Sequence, residues 1–117
     1  MKILIIILGM IWALVARYGI EKEDVVAHLE QPPTIEEIVC QFDWPCEEAL
    51  AVAWCESRFD PSAVGAYGVL GLFQLWPGWF QWAGTDISMW DDPLVNSYTA
   101  YRVWASGRGW APWTCKP

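Results

Sequence analysis

The chain has 117 residues, of which 55% are apolar and ten are tryptophan, with a net charge of −7 at pH 7. Leaving out residues 1–20, which hold Lys2 and Arg17, five basic side chains face fourteen acidic ones, a balance of −9 that argues against nucleic acid as a partner. Behind a non-globular front end there is room for one domain of about 80 residues, a size at which buried area is marginal and covalent staples help.

Lys2 is followed by fourteen unbroken apolar residues, Ile3 to Ala16, before Arg17. That run has the length of a signal-peptide core, and extended to Ile20 by snorkelling it is a short anchor. Residues 1–20 therefore read as a signal peptide or membrane anchor, with the acidic flank Glu21-Lys22-Glu23-Asp24 exported. Residues 21–33 form a polar linker closed by the semi-rigid Gln31-Pro32-Pro33, and His28 is a solvated residue within it. Residues 34–117 are the domain.

Thr34-Ile35-Glu36-Glu37 is a capping box, which predicts a first helix from Ile35 towards Phe42. Asp43-Trp44-Pro45 starts a second, with Pro45 at its first position, Glu47 and Glu48 near the positive end of its dipole, and a stripe of Leu50, Ala53 and Trp54 facing inward. Gly65, Gly68 and Gly71 punctuate a turn-rich stretch where backbone can approach a ligand closely. Pro77 opens a short aromatic helix to about Ala83. Asp92 caps a last helix begun by Pro93, with Leu94, Val95, Tyr98, Tyr101, Arg102 and Ala105 along one face and Gly107 as its stop. Without a repeat or a strand-rich run, the fold class is mainly α.

Glu56 falls in the last turn of the second helix, just before Asp60-Pro61, where carbonyls converge and a further negative charge is unfavourable. Trp54, Phe59 and the aromatic segments beyond would draw it out of water. Both effects raise a carboxyl pKa, as a general acid working near neutral pH requires. From spacing alone, an ordinary surface glutamate at a helix end fits equally well.

The ordered set Glu56-Ser57, Asp60-Pro61-Ser62-Ala63, Gly68-Val69-Leu70-Gly71-Leu72-Phe73-Gln74 and Pro77 resembles the lytic transglycosylase and goose-type lysozyme-like (SLT) domains from about Ile38 to Val95. The end of the chain, Gly109-Trp110-Ala111-Pro112-Trp113-Thr114-Cys115, is similar to the close of resuscitation-promoting-factor catalytic domains. Two departures stand out. Gly65 occupies a position where the family often has Ser, and an Ala-Tyr-Asn motif common in larger members is missing after Arg102, with Tyr98 and Tyr101 as approximate stand-ins expected among the substrate-binding residues of the groove.

The four cysteines, following an export segment, read as disulfides with three possible pairings. A zinc site lacks a C-x-x-C motif and has only one histidine in the chain to draw on. The resemblance implies Cys55 with Cys115, leaving Cys40 with Cys46. It also implies a small lysozyme-like domain acting on peptidoglycan glycan strands without metal or cofactor. In that chemistry Glu56 protonates the MurNAc-GlcNAc β-1,4 glycosidic oxygen, then as a base takes the proton of the muramyl 6-hydroxyl, which closes a 1,6-anhydro ring. Gln74 and the backbone at Leu72 and Phe73 would orient the glycan. Ser57 supports the helix end, since no histidine lies near to activate it.

Of the tryptophans, Trp54 and Trp104 read as core, whereas Trp76, Trp79 and Trp110 are candidates to line a sugar groove, the ring meeting C–H surfaces and the N–H a hydroxyl or carbonyl. Glycosidases commonly pair two carboxylates. Here Asp60 reads as a turn residue and Asp92 as a cap, with Asp86 and Asp91 remaining.

Three functions compete: lytic transglycosylation, hydrolysis (a muramidase) with Asp86 or Asp91 placing water, and an inert wall-binding module. The protein is expected to be exported, either secreted or held at the membrane by an uncleaved N-terminal segment, and monomeric. Its negative charge repels anionic walls, which favours a tethered enzyme or one working in high salt.

Overall fold

The computed structural model describes residues 31–117; the expected export segment and all but the last residues of the linker lie outside them. Thr34 caps helix α1, Ile35–Val39, as expected, its hydroxyl accepting the Glu37 N–H at 3.2 Å. The helix stops at Val39 rather than continuing towards Phe42. Cys40 is bonded to Cys46 with the Cα atoms 4.9 Å apart, whereas six residues of continuous helix would place them about 9 Å apart, beyond the reach of a disulfide.

Helix α2, Cys46–Ser57, follows, with Pro45 as its cap rather than its first residue. Helix α3, Pro77–Ala83, begins at its proline, and α4, Pro93–Val103, is capped by Asp92, whose Oδ1 accepts the N–H groups of Leu94 and Val95. A π-helical turn over Trp104–Arg108 ends α4, and left-handed Gly107 breaks it. Among the described residues, tight 3₁₀ turns at Ala66–Gly68 and Ile87–Met89 complete the helical elements, and the only β pairing is a pair of isolated bridges, Val64 to Leu70 and Leu70 to Leu75.

The buried faces differ from the expected ones on two helices. On α2 the inward residues are Ala49, Val52 and Ala53, while Trp54 is 51% exposed. On α4 they are Asn96, Ser97, Thr99, Ala100 and Val103, while Leu94 and Tyr98 face outward. The reason is common to both. The core is already filled by large rings from other segments, Trp44, Phe73, Phe80 and Trp113, so the helices approach them with small side chains. Trp104 is partly buried against this core.

Asn96 shows why a polar residue belongs on that face. Its Oδ1 accepts the Phe73 N–H at 2.9 Å, and its Nδ2 donates to the carbonyls of Leu70 and Trp90, each at 3.0 Å. One amide thus serves three backbone groups, the Leu70 carbonyl sharing it with the Leu75 N–H and the Phe73 N–H and Trp90 carbonyl relying on it. Gly71 is required beneath it: its φ is +76°, and a Cβ there would lie 2.3 Å from Asn96 Nδ2 and 2.7 Å from the Trp90 carbonyl oxygen. The glycine-punctuated stretch is thereby pinned against α4.

A second disulfide joins Cys55 to Cys115 across a sequence separation of 60. On the chain-entropy model a loop of that size contributes on the order of 4 kcal/mol. It also brings the C-terminus of the domain against the C-terminal end of α2.

Candidate active site

Glu56 stands one residue from the end of α2. The helix terminates in two successive left-handed residues, Arg58 (φ 55°) and Phe59 (φ 60°), and the Arg58 N–H closes the last turn on the Trp54 carbonyl at 2.9 Å. Ser57 ties this end to the glycine-rich loop, its Oγ 2.7 Å from the Leu72 carbonyl oxygen and 3.1 Å from that of Ala53. It supports the helix end, as expected.

Glu56 lies in a cleft of about 320 Å³ lined by Cys55-Glu56, the turn Ala66-Tyr67 with Val69, the segment Gln74–Trp76 with Trp79, and Pro112–Cys115. The Cys115 N–H donates to Glu56 Oε1 at 3.2 Å. Partial burial raises the Glu56 carboxyl above its ordinary 4.5, and the Cys115 N–H and the nearby Lys116 charge pull back only part of that rise. The cover does not come from Trp54, as the sequence suggested. Trp54 lies edge-on to Phe59 at 5.3 Å with the Arg58 guanidinium over its ring, out in solvent. The residues about Glu56 come largely from segments distant in sequence, Pro112–Cys115 above all.

That C-terminal segment is held at several points. Trp113 is 5% exposed and its Nε1–H donates to the Phe73 carbonyl at 3.0 Å. Lys116 donates through Nζ to the carbonyls of Trp110, Ala111 and Trp113. With the disulfide, these fix the segment that carries the N–H group contacting Glu56.

Gln74, Trp76 and Trp79 all line the cleft. Gln74 is left-handed (φ 50°), and its Nε2 is spent on the carbonyls of Ala63 (3.1 Å) and Gly71 (3.0 Å), leaving Oε1 as its unspent polar atom. A Cβ at Gly65 would meet that oxygen at 2.1 Å and Val69 Cγ2 at 2.7 Å. A side chain at position 65, where the resemblance suggests serine, would therefore require the ends of Gln74 and Val69 to shift.

Leu72 and Phe73 are fully buried, and the backbone groups expected to orient a glycan are committed inside: the Leu72 carbonyl to Ser57, the Phe73 N–H to Asn96 and the Phe73 carbonyl to Trp113. They support the cleft from beneath. Tyr98, Tyr101 and Trp110, also expected in the groove, do not line it. Tyr98 borders a separate apolar hollow with Phe42, Leu94 and Val95, and Tyr101 stacks on Phe42 at 5.3 Å. Trp110 packs on Trp44 and Trp113, each at 5.3 Å, with its N–H on Glu48 Oε1 at 3.2 Å. The physical reason is that α4 packs its small polar face inward, which turns its tyrosines towards Phe42.

Among the described residues no second carboxylate lines the cleft. Asp60 Oδ1 accepts the Ser62 N–H at 2.9 Å in a local turn. Asp86 caps the turn at Ile87–Met89, where the Ser88 N–H holds its carboxyl below the ordinary 3.8, and Asp92 caps α4. Sequence reasoning missed three contributors: Asn96, Tyr67 and the Cys115 N–H. An asparagine in mid-helix and a tyrosine set between glycines were the available signals for the first two.

A small helical domain with two disulfides and a raised carboxyl in an aromatic cleft has the features of the lysozyme-like class. The chain belongs to the transglycosylase SLT domain family, whose model matches residues 33–105. Members of that family cleave glycosidic bonds of peptidoglycan. The matched span contains Glu56 and Gln74 but ends before Pro112–Cys115, the segment that closes over Glu56. No curated protein and no solved structure matches the chain.

Proposed function

We propose that this protein is a lytic transglycosylase, cleaving the MurNAc-GlcNAc β-1,4 bond of peptidoglycan with Glu56 as acid and then base. The observation that carries this reading is that Glu56 is the one carboxylate among the described residues to line the cleft and that burial biases it towards the protonated state. A proton donor must hold its proton before the glycosidic oxygen receives it. As the C1–O bond breaks, the proton passes to the departing sugar and Glu56 becomes a carboxylate. The Cys115 N–H and the Lys116 charge stabilise that anion. It then accepts the proton of the muramyl 6-hydroxyl while the hydroxyl oxygen bonds to C1, which restores Glu56 and balances the reaction without water.

Gln74 Oε1, Trp76 and Trp79 are the groups disposed to hold the strand. Hydrolysis would call for a group to place water, and Asp86 and Asp91, the residues considered for it, are not in the cleft. The two disulfides suit an oxidising, extracytoplasmic compartment, where the wall lies. Digestion of purified sacculi followed by mass spectrometry of the fragments tests the reading: anhydromuramyl ends support it, reducing ends replace it with hydrolysis, and absence of cleavage replaces it with a binding module.

A further inference from the structure

Four residues other than glycine hold a left-handed backbone among the described residues: Arg58, Phe59, Tyr67 and Gln74. Packing accounts for three. Arg58 closes α2 on the Trp54 carbonyl, Phe59 packs against the core, and Gln74 spends its amide on two backbone carbonyls. Tyr67 has no such account. Its φ and ψ are 63° and 17°, a conformation that crowds a bulky side chain, and the residue is 88% exposed.

The turn that holds it is well tied, with the Gly65 N–H on the Val69 carbonyl at 2.9 Å and the Gly68 N–H on the Gly65 carbonyl at 3.3 Å. Glycine or asparagine at position 67 would fit this turn with less crowding. Burial does not explain the tyrosine, because the ring is almost wholly in water. What distinguishes its position is the cleft: Tyr67 lines it, together with Glu56 and Trp76. Strain retained at the wall of a cleft, to display an aromatic ring that the fold does not use, points to a ligand.

We propose that Tyr67 is a substrate-binding residue, an aromatic platform on which a sugar ring of the glycan strand stacks beside the bond to be cleaved. An exposed ring face meets the apolar C–H face of a pyranose, and the half-exposed Trp76 offers a second such surface in the same cleft. The proposal rests on the cleft being a glycan site.

The test compares Tyr67→Asn and Tyr67→Phe with the parent, using the full chain and solubilised peptidoglycan glycan strands. Turnover is measured in the active protein, binding in the Glu56→Gln background, and thermal melting in all. Tyr67→Asn should melt about 4 °C or more above the parent as crowding is relieved. It should also bind strands about 5- to 10-fold more weakly, with kcat within about twofold, as the loss of one aromatic contact implies. Tyr67→Phe should keep binding and melting near the parental values. Unchanged strand binding by Tyr67→Asn overturns the proposal whatever happens to melting, and so does a lowered melting temperature, since the ring would then serve the fold. If the parent binds strands but cleaves none, weaker binding by Tyr67→Asn upholds the platform while the transglycosylase reading falls. Absence of strand binding by the parent overturns the platform.

Discussion

Trp44 and Trp113 are 7% and 5% exposed, and each gives its indole N–H to a backbone carbonyl, of Val39 and Phe73 respectively. Trp76, by contrast, is 50% exposed in the cleft wall. The chain uses one side chain for two purposes. In the first region the ring is enclosed by Phe42, Phe73, Tyr101, Trp104 and Trp110, and its single donor is spent. In the second the ring stays open to solvent beside Glu56. What separates a structural from a ligand-facing tryptophan here is the fate of its N–H and its second face, neither of which residue type reveals.

Truncation should pull the two regions apart. Trp44→Ala is expected to cost about 3–5 kcal/mol, through lost burial and an orphaned Val39 carbonyl. Trp76→Ala should cost less than about 1 kcal/mol and instead weaken glycan-strand binding. Denaturant unfolding paired with strand binding checks both, and equal stability losses would erase the distinction. Trp54→Ala sharpens the comparison from within the bulky aromatics: half exposed and outside the cleft, it should lower stability by about 1 kcal/mol or less and leave binding near parental.

A smaller effect separates the regions by pH. The folded state holds the Glu56 proton more tightly than the unfolded chain, whose carboxyl titrates near the ordinary 4.5. As pH rises above that value the unfolded chain releases the proton first, so the parent loses stability relative to Glu56→Gln until the folded carboxyl has also ionised. Below it the difference stays constant with pH. Activity of the parent should fall across the same rise, because the protonated form starts the reaction. Melting curves of both proteins against pH check the sign, and a gap that opens as pH falls would contradict the raised carboxyl. Trp44→Ala, in the closed region, should shift stability without changing this pH dependence.

Local chemistry was legible in the sequence. Thr34 with Glu37, Pro77 and Asp92 with Pro93 each announce a helix start through groups within a few residues, and the structure places helix starts there. The spacing from Glu56 to Gln74 was legible as a family pattern, and both line the cleft. Contacts between distant segments were not. That α2 buries Ala49 and Val52 while exposing Trp54 depends on rings supplied by Trp44, Phe73 and Trp113. Periodicity ranks residues by size and so chose the largest. The cover over Glu56 comes from Cys115 and its neighbours, 59 residues away, a relation that helix-end and nearest-neighbour reasoning cannot reach. Trp110 was drawn to the groove by its aromatic ring and Tyr98 and Tyr101 by their approximate match to a family motif, yet Phe42, Trp44 and Glu48 claim them.

The central claim, that Glu56 donates and then retrieves the proton, is tested most directly by turnover of Glu56→Gln on purified sacculi alongside the parent. The amide matches the carboxyl in size and its oxygen can still accept the Cys115 N–H, so the variant should fold and bind the wall. It should lose at least about 10²-fold in kcat. Near-parental turnover by Glu56→Gln, with anhydromuramyl ends still forming, would contradict the assignment.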